Sequence, residues 1–187
     1  MTWIAAFQIN ANGNKDFLYV RQLAALGEKI EIHSPITENS LYPAVNPKRL
    51  SDMAAYADRI KLGPYASGWL RDVGSVIFDP TNVEQGACKG FLETVQRYPG
   101  FFEARGWVVP TITSDSTTLV LLVDAAGNTV GYGISGERRG DVLERVPGAA
   151  PDDGWVGFAT AEPLQAYGYF DGKFCKLHKI TATAQAH

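Results

Sequence analysis

The sequence predicts a mainly β protein, an antiparallel β-sandwich of Ig-like or jelly-roll-like type behind a short helical N-terminal region. Three observations predict it. From Gly86 onward, short apolar or alternating runs recur about every ten residues, separated by Gly, Pro, Asp and Asn. Before Gly86 the apolar residues fall instead at helical spacing, with capping residues at the ends. The only two cysteines, Cys88 and Cys175, stand at opposite ends of the β-rich half. The expected division is a helical lead-in over 1–85 packed on the sandwich, the sandwich over 86–180, and a frayed tail over 181–187.

In chain order, Asn14 can cap a helix from Lys15, which sets Phe17, Val20, Leu23 and Ala24 on one face, with Gly27 as its stop. A short strand over 29–33 is expected next, ended by Pro35. A second helix starts at Asn46-Pro47, an Asn cap with Pro in the first turn, and sets Leu50, Met53, Ala54, Ala57 and Ile60 on one face. Gly63-Pro64 ends it. In the β half, strands are expected over 106–111, 117–123, 129–134, 154–159, 164–169 and 173–177. Asp124 to Asn128 and Asp171-Gly172 supply two hairpin turns.

Composition removes several classes. Of 187 residues, 45% are hydrophobic and 20% charged, which is ordinary for a soluble globular chain and excludes intrinsic disorder. A net charge of −3 argues against a nucleic-acid partner, which selects a basic face. The longest apolar run, Leu119 to Val123, is strand-sized and far short of the roughly 20 residues of a membrane helix. The first seven residues lack the charged and apolar regions of a signal peptide. Taken literally that start means a cytoplasmic protein; a domain cut from a longer membrane protein would show the same.

The cysteines bear on that choice. A Cys88–Cys175 disulfide would close a loop of about ninety residues and persist only in an oxidising compartment. The alternative is two unrelated free thiols in a cytosolic protein. Both cysteines lie in polar, glycine-containing stretches, which favours the bridge and a periplasmic or extracellular location.

Catalytic patterns are scarce. His33, His178 and His187 have no ligand-spaced partners, so no metal site is expected, and no phosphate-cradling or nucleophile-elbow motif occurs. No cofactor is implied. The charged loop Gly136 to Val142 offers Arg138, Arg139 and Asp141. These can pin a loop through an Arg–Asp pair, recognise an anionic or hydroxyl-rich ligand, or display Arg-Gly-Asp as an adhesive tripeptide. Trp155 and Tyr167 can stack on sugar rings or fill the core. A carbohydrate-active enzyme would need paired carboxylates, for which Asp115, Asp141, Asp152 and Asp153 are candidates by position.

A series of motifs bears on setting. These are Cys88-Lys89-Gly90, Gly106-Trp107, Leu122-Val123-Asp124, Arg139 to Val142, Gly154-Trp155-Val156-Gly157-Phe158, Ala166-Tyr167 and Cys175-Lys176-Leu177. In this order, over half the chain, they resemble the disulfide-bracketed β-sandwich domains of bacterial polytopic membrane proteins of surface-polysaccharide assembly or glycosyl transfer. The resemblance implies an exported domain beside a glycan-handling membrane segment; this sequence holds no such segment, a departure that a domain cut from a longer membrane protein would explain. It carries over no catalytic residue. The function expected first is a non-catalytic extracytoplasmic domain that contacts a glycan or an envelope protein. The alternatives are a carbohydrate-active hydrolase or transferase, and a cytosolic protein with free thiols.

Overall fold

The computed structural model describes residues 2–32, 34, 47–111 and 117–179. They fall into two compact units, Met1–Ser75 and Val76–His187. The first is helical. Helix α1 (Thr2–Lys29) begins well before Asn14 and runs through Gly27. The expected strand over 29–33 is not formed over its described residues 29–32, because those residues close the helix. Ile32 N–H reaches Gly27 C=O at 2.9 Å, Glu31 N–H reaches Glu28 C=O at 3.3 Å, and Glu31 takes the left-handed conformation (φ 59°). This pattern satisfies carbonyls that a helix end leaves open. Helix α2 (Pro47–Ile60) ends the same way, with Lys61 at φ 55° and Leu62 N–H on Ala57 C=O at 2.9 Å. A 3-10 turn (Gly63–Ala66) and the short helix α3 (Gly68–Asp72) follow, burying Tyr65, Trp69 and Leu70. Lys29 joins the two long helices through Asp58 at 3.1 Å.

The second unit is a closed barrel, and this corrects the sandwich. Its strands are β1 (Cys88–Tyr98), β2 (Phe101–Pro110), β3 (Leu119–Val123), β4 (Thr129–Glu137), β5 (Gly154–Ala159), β6 (Gln165–Phe170) and β7 (Lys173–Lys179). Around the barrel they run β1-β2-β5-β4-β3-β6-β7, and β7 pairs again with β1. Six of the seven contacts are antiparallel; the closing contact is parallel, matching Phe91 with His178 and Leu92 with Lys179. Parity demands this. Strand direction cannot alternate all the way around a ring with an odd number of members, so at least one neighbouring pair must run parallel.

The disulfide sits on that closing contact. Cys88 and Cys175 are bonded with 5.8 Å between their Cα atoms, and their separation of 87 residues equals the offset of the Phe91–His178 pair. The bridge therefore lies in register across the seam and ties the first strand to the last. Beside it, the chain before β1 adds a parallel bridge from Val83 to Phe174 and a hydrogen bond from Glu84 N–H to Phe174 C=O at 2.8 Å.

Inward positions follow from the pairing. Cys88 and Leu92, Ala104 and Val108, Val120 and Leu122, Trp155 and Ala159, Ala166, Cys175 and Leu177 form one buried cluster. Between them, paired rows set Gly90, Gly106, Gly131, Gly133, Gly157 and Gly168 on the same face. A Cβ at Gly106 would lie 1.9 Å from Phe91 O and 2.9 Å from Trp155 Cζ2, so no side chain fits there. Gly133 and Gly157 face each other, and a Cβ on Gly157 would come 2.8 Å from Gly133 Cα. Removing Cβ atoms lets the strands curl tightly around one large side chain, the fully buried Trp155. The interior is a packed core rather than a lumen.

The two expected hairpins are present. Asp124 accepts from the N–H groups of Ala126 and Asn128 at 2.9 Å each, with Gly127 at φ 87°. Asp171 and Gly172 both take positive φ between β6 and β7, as a two-residue hairpin turn requires.

Candidate functional site

The residues with the richest polar chemistry lie outside the core, where two β-bulges re-aim carboxylates. One bulge in β1, between Leu92 and Thr94, releases Glu93 from regular pairing. Another in β4, between Ser135 and Glu137, turns Glu137 out opposite Gly154. After β4 the chain forms a short helix, α4 (Gly140–Arg145), whose Val142 packs with Trp107 and Val109 of β2, flanked by Phe91, Val146 and Ala149. The segment is held down by Arg139 N–H on Pro151 C=O at 2.8 Å and Val108 N–H on Asp153 C=O at 2.9 Å.

Arg139 is the latch. Its Nη1 and Nη2 donate to Glu93 at 2.5 and 3.0 Å, and its Nε and Nη2 donate to Asp141 at 2.8 and 2.7 Å. Two forked pairs on one guanidinium are strong and directional. They hold the Asp141 carboxyl at about 2, below its usual 3.8, and push Arg139 further up. The Arg and Asp of the Arg-Gly-Asp tripeptide are thus turned on each other.

A second guanidinium, Arg105 of β2, donates from Nε to Glu103 at 2.7 Å and from Nη1 to Glu137 at 2.6 Å. Glu103 is buried on the strand beside it. Burial raises the Glu137 carboxyl, against the opposing pull of Arg105 and Arg139. Each arginine therefore bridges two carboxylates, Glu93 with Asp141 and Glu103 with Glu137. These are structural ion pairs that pin a loop and a bulge.

The sequence candidates divide as follows. Arg139 and Asp141 are brought together. Arg138 is exposed. Trp155 is fully inside the barrel and Tyr167 is buried against Phe78, ring centroids 4.2 Å apart, so neither offers a free ring face. The Asp153 carboxylate accepts the Ala150 N–H at 2.6 Å, and burial raises its pKa. His178 is exposed on β7. His33, Asp115 and His187 lie outside the described residues. Among the described residues, no group of three or more His, Cys, Asp or Glu is placed to hold a metal ion. Within the same residues no helix is long and apolar enough to cross a membrane. Sequence reasoning missed Glu93, Glu103, Arg105 and Glu137. The signal for two of them was an acid and a base two residues apart, and so on one face, in the otherwise apolar run of β2.

Two measurable consequences arise here. Replacing Arg139 by Gln leaves the half-buried Glu93 without its cation and is expected to cost about 1–3 kcal/mol of barrel stability. Urea unfolding of the variant checks it; an unchanged midpoint would contradict the latch. The second is the acid limb of stability. Because the folded Asp141 pKa lies below the usual value, its contribution is complete above 3.8 and is lost as pH falls toward about 2. Asp124, lowered by the Asn128 and Ala126 hydrogen bonds, has the same sign, whereas the raised Glu137 has the opposite one. The stability gap between wild type and Asp141→Asn is therefore expected to narrow on acidification through that window, as urea titrations at several pH values would show. A constant gap would contradict the pairing.

Comparison with protein-family models, with curated proteins and with solved structures finds no match.

Proposed function

We propose that the chain is a non-catalytic binding module that works outside the reducing cytosol, in the periplasm or at the cell exterior, within a bacterial envelope system that assembles surface glycans. The observation that carries the reading is the disulfide in register across the closing seam. A bridge at that point is part of how the barrel closes, and an internal bridge favours an oxidising compartment. The order of motifs from Cys88 to Leu177 supports the glycan setting. The carboxylates that share a partner support a non-catalytic role, since each is occupied by an arginine that also fixes the fold. With Trp155 and Tyr167 buried, binding is assigned to the outer surface of the barrel.

Alkylation of protein taken unreduced from its host and then unfolded tests the compartment. No modified cysteine is expected, and two free thiols would overturn the reading. Deleting the gene in that host tests the setting. A changed surface polysaccharide is expected; an unchanged one would contradict the assignment.

A further inference from the structure

The closing seam carries an arrangement that the ion-pair network does not explain. The offset of 87 residues that aligns the cysteines also sets Lys89 opposite Lys176. Cys88 and Leu92 on β1, and Cys175 and Leu177 on β7, belong to the interior cluster, so the two lysines project outward side by side. Both are exposed. Like charges opposite one another on neighbouring strands repel, and sheets normally separate them or insert a carboxylate. Among the described residues no carboxylate does so here. The paired neighbours are Val109 on β2 for Lys89 and Tyr167 on β6 for Lys176. The same-face neighbours along the strands are Ala87 and Phe91, and Phe174 and His178. Nor does either ammonium group take part in an ion pair or hydrogen bond among the described residues. The nearby Lys173, by contrast, has Glu84 at 2.6 Å.

One pleat further along the same face stands a row of rings across three strands. His178 of β7 lies 5.5 Å from Phe91 of β1, which lies 5.3 Å from Trp107 of β2. Two residues along a strand span roughly 7 Å. An anion held between the lysines therefore has the partly exposed Phe91, which packs on the Trp107–Val142 cluster, and the exposed His178 within reach of a ring that bears it.

We propose that this face, Lys89 and Lys176 with Phe91 and His178, binds an acidic saccharide, the carboxylate or phosphate on the lysines and the sugar face on the rings. The class of ring rests on the glycan reading above; the charge rests on the lysine pair alone.

Tetragalacturonate, its methyl-esterified neutral form and inorganic pyrophosphate, each titrated calorimetrically into the full chain at low salt, test it. The acid tetramer is expected to bind, more weakly as salt rises. The neutral ester, the Lys89→Gln/Lys176→Gln variant and Phe91→Ala are each expected to lose about tenfold or more, the size of one charge-assisted or stacking contact. The lysine variant changes only exposed groups and removes a like-charge contact, so it should melt no lower than wild type and its loss reports binding. Failure of the acid tetramer to bind, or equal binding by the lysine variant, overturns the site. Equal binding of pyrophosphate, with indifference to Phe91→Ala, overturns the saccharide. None of these results depends on the thiol measurement, so this proposal and the compartment can fail separately.

Discussion

Replacing Cys88 and Cys175 together by alanine is expected to lower the unfolding free energy of the barrel by about 4–5 kcal/mol. The figure follows from the 87-residue separation of the cysteines, since cutting the tie returns the entropy of a long closed loop to the unfolded chain. The effect should be large because the seam is otherwise short. Its parallel ladder matches only Phe91 with His178 and Leu92 with Lys179, against ten matched residues between β1 and β2. Both cysteines are also buried in the core cluster, so their replacement sacrifices packing as well. Urea unfolding of oxidised, reduced and doubly substituted protein measures it. The reduced form should unfold at a much lower urea concentration than the oxidised form, and the substituted form at the same concentration or lower. Coincident midpoints for all three would contradict the account.

The second large effect is expected at Trp155. It is fully buried, and the barrel gives up side chains at Gly106 and its neighbours to enclose it. Trp155→Ala leaves the centre of a tightly curled barrel with a void that glycine-lined walls have no side chains to fill. A cost of about 3–5 kcal/mol is expected. Trp155→Phe should cost much less. It keeps most of the ring, and the buried indole N–H that it removes has no acceptor among the described residues. Unfolding midpoints of the two variants give the comparison. Equal, small losses would mean that Trp155 does not fill the interior.

Much of the barrel was legible in the sequence. β5 matches the expected 154–159, and the hairpins at Asp124–Asn128 and Asp171-Gly172 follow from turn chemistry. The fold class was not legible, for two physical reasons. Inward–outward alternation is the same in a sandwich and in a barrel; the difference is whether the edge strands meet. And β1 was hidden, because Glu93, Gln96 and Arg97 interrupt its apolar pattern where it bulges and turns outward. Without it six strands remain, an even number that can alternate throughout. The missed clue was Tyr98-Pro99-Gly100-Phe101, a Pro-Gly turn with Gly100 at φ 88° and the flanking rings stacked 5.0 Å apart. In the helical unit, Glu31 and Lys61 take left-handed positions usually given to glycine, so Gly27 and Gly63 do not mark the helix ends.

For the candidate site, Arg139 and Asp141 were visible as a charged tripeptide, while Glu93 was not. Its role depends on a bulge that no local pattern announces. The sequence marks Trp155 and Tyr167 as aromatic positions that either bind or pack, and the choice between those depends on how the strands close.

Nuclear Overhauser contacts between β1 and β7 in the oxidised protein test closure most directly. Contacts linking Phe91 to His178 and Leu92 to Lys179 in a parallel pattern are expected, beside the Cys88–Cys175 bridge. Edge strands with no such contacts, or amides on β1 and β7 that exchange freely on their facing sides, would contradict a closed barrel.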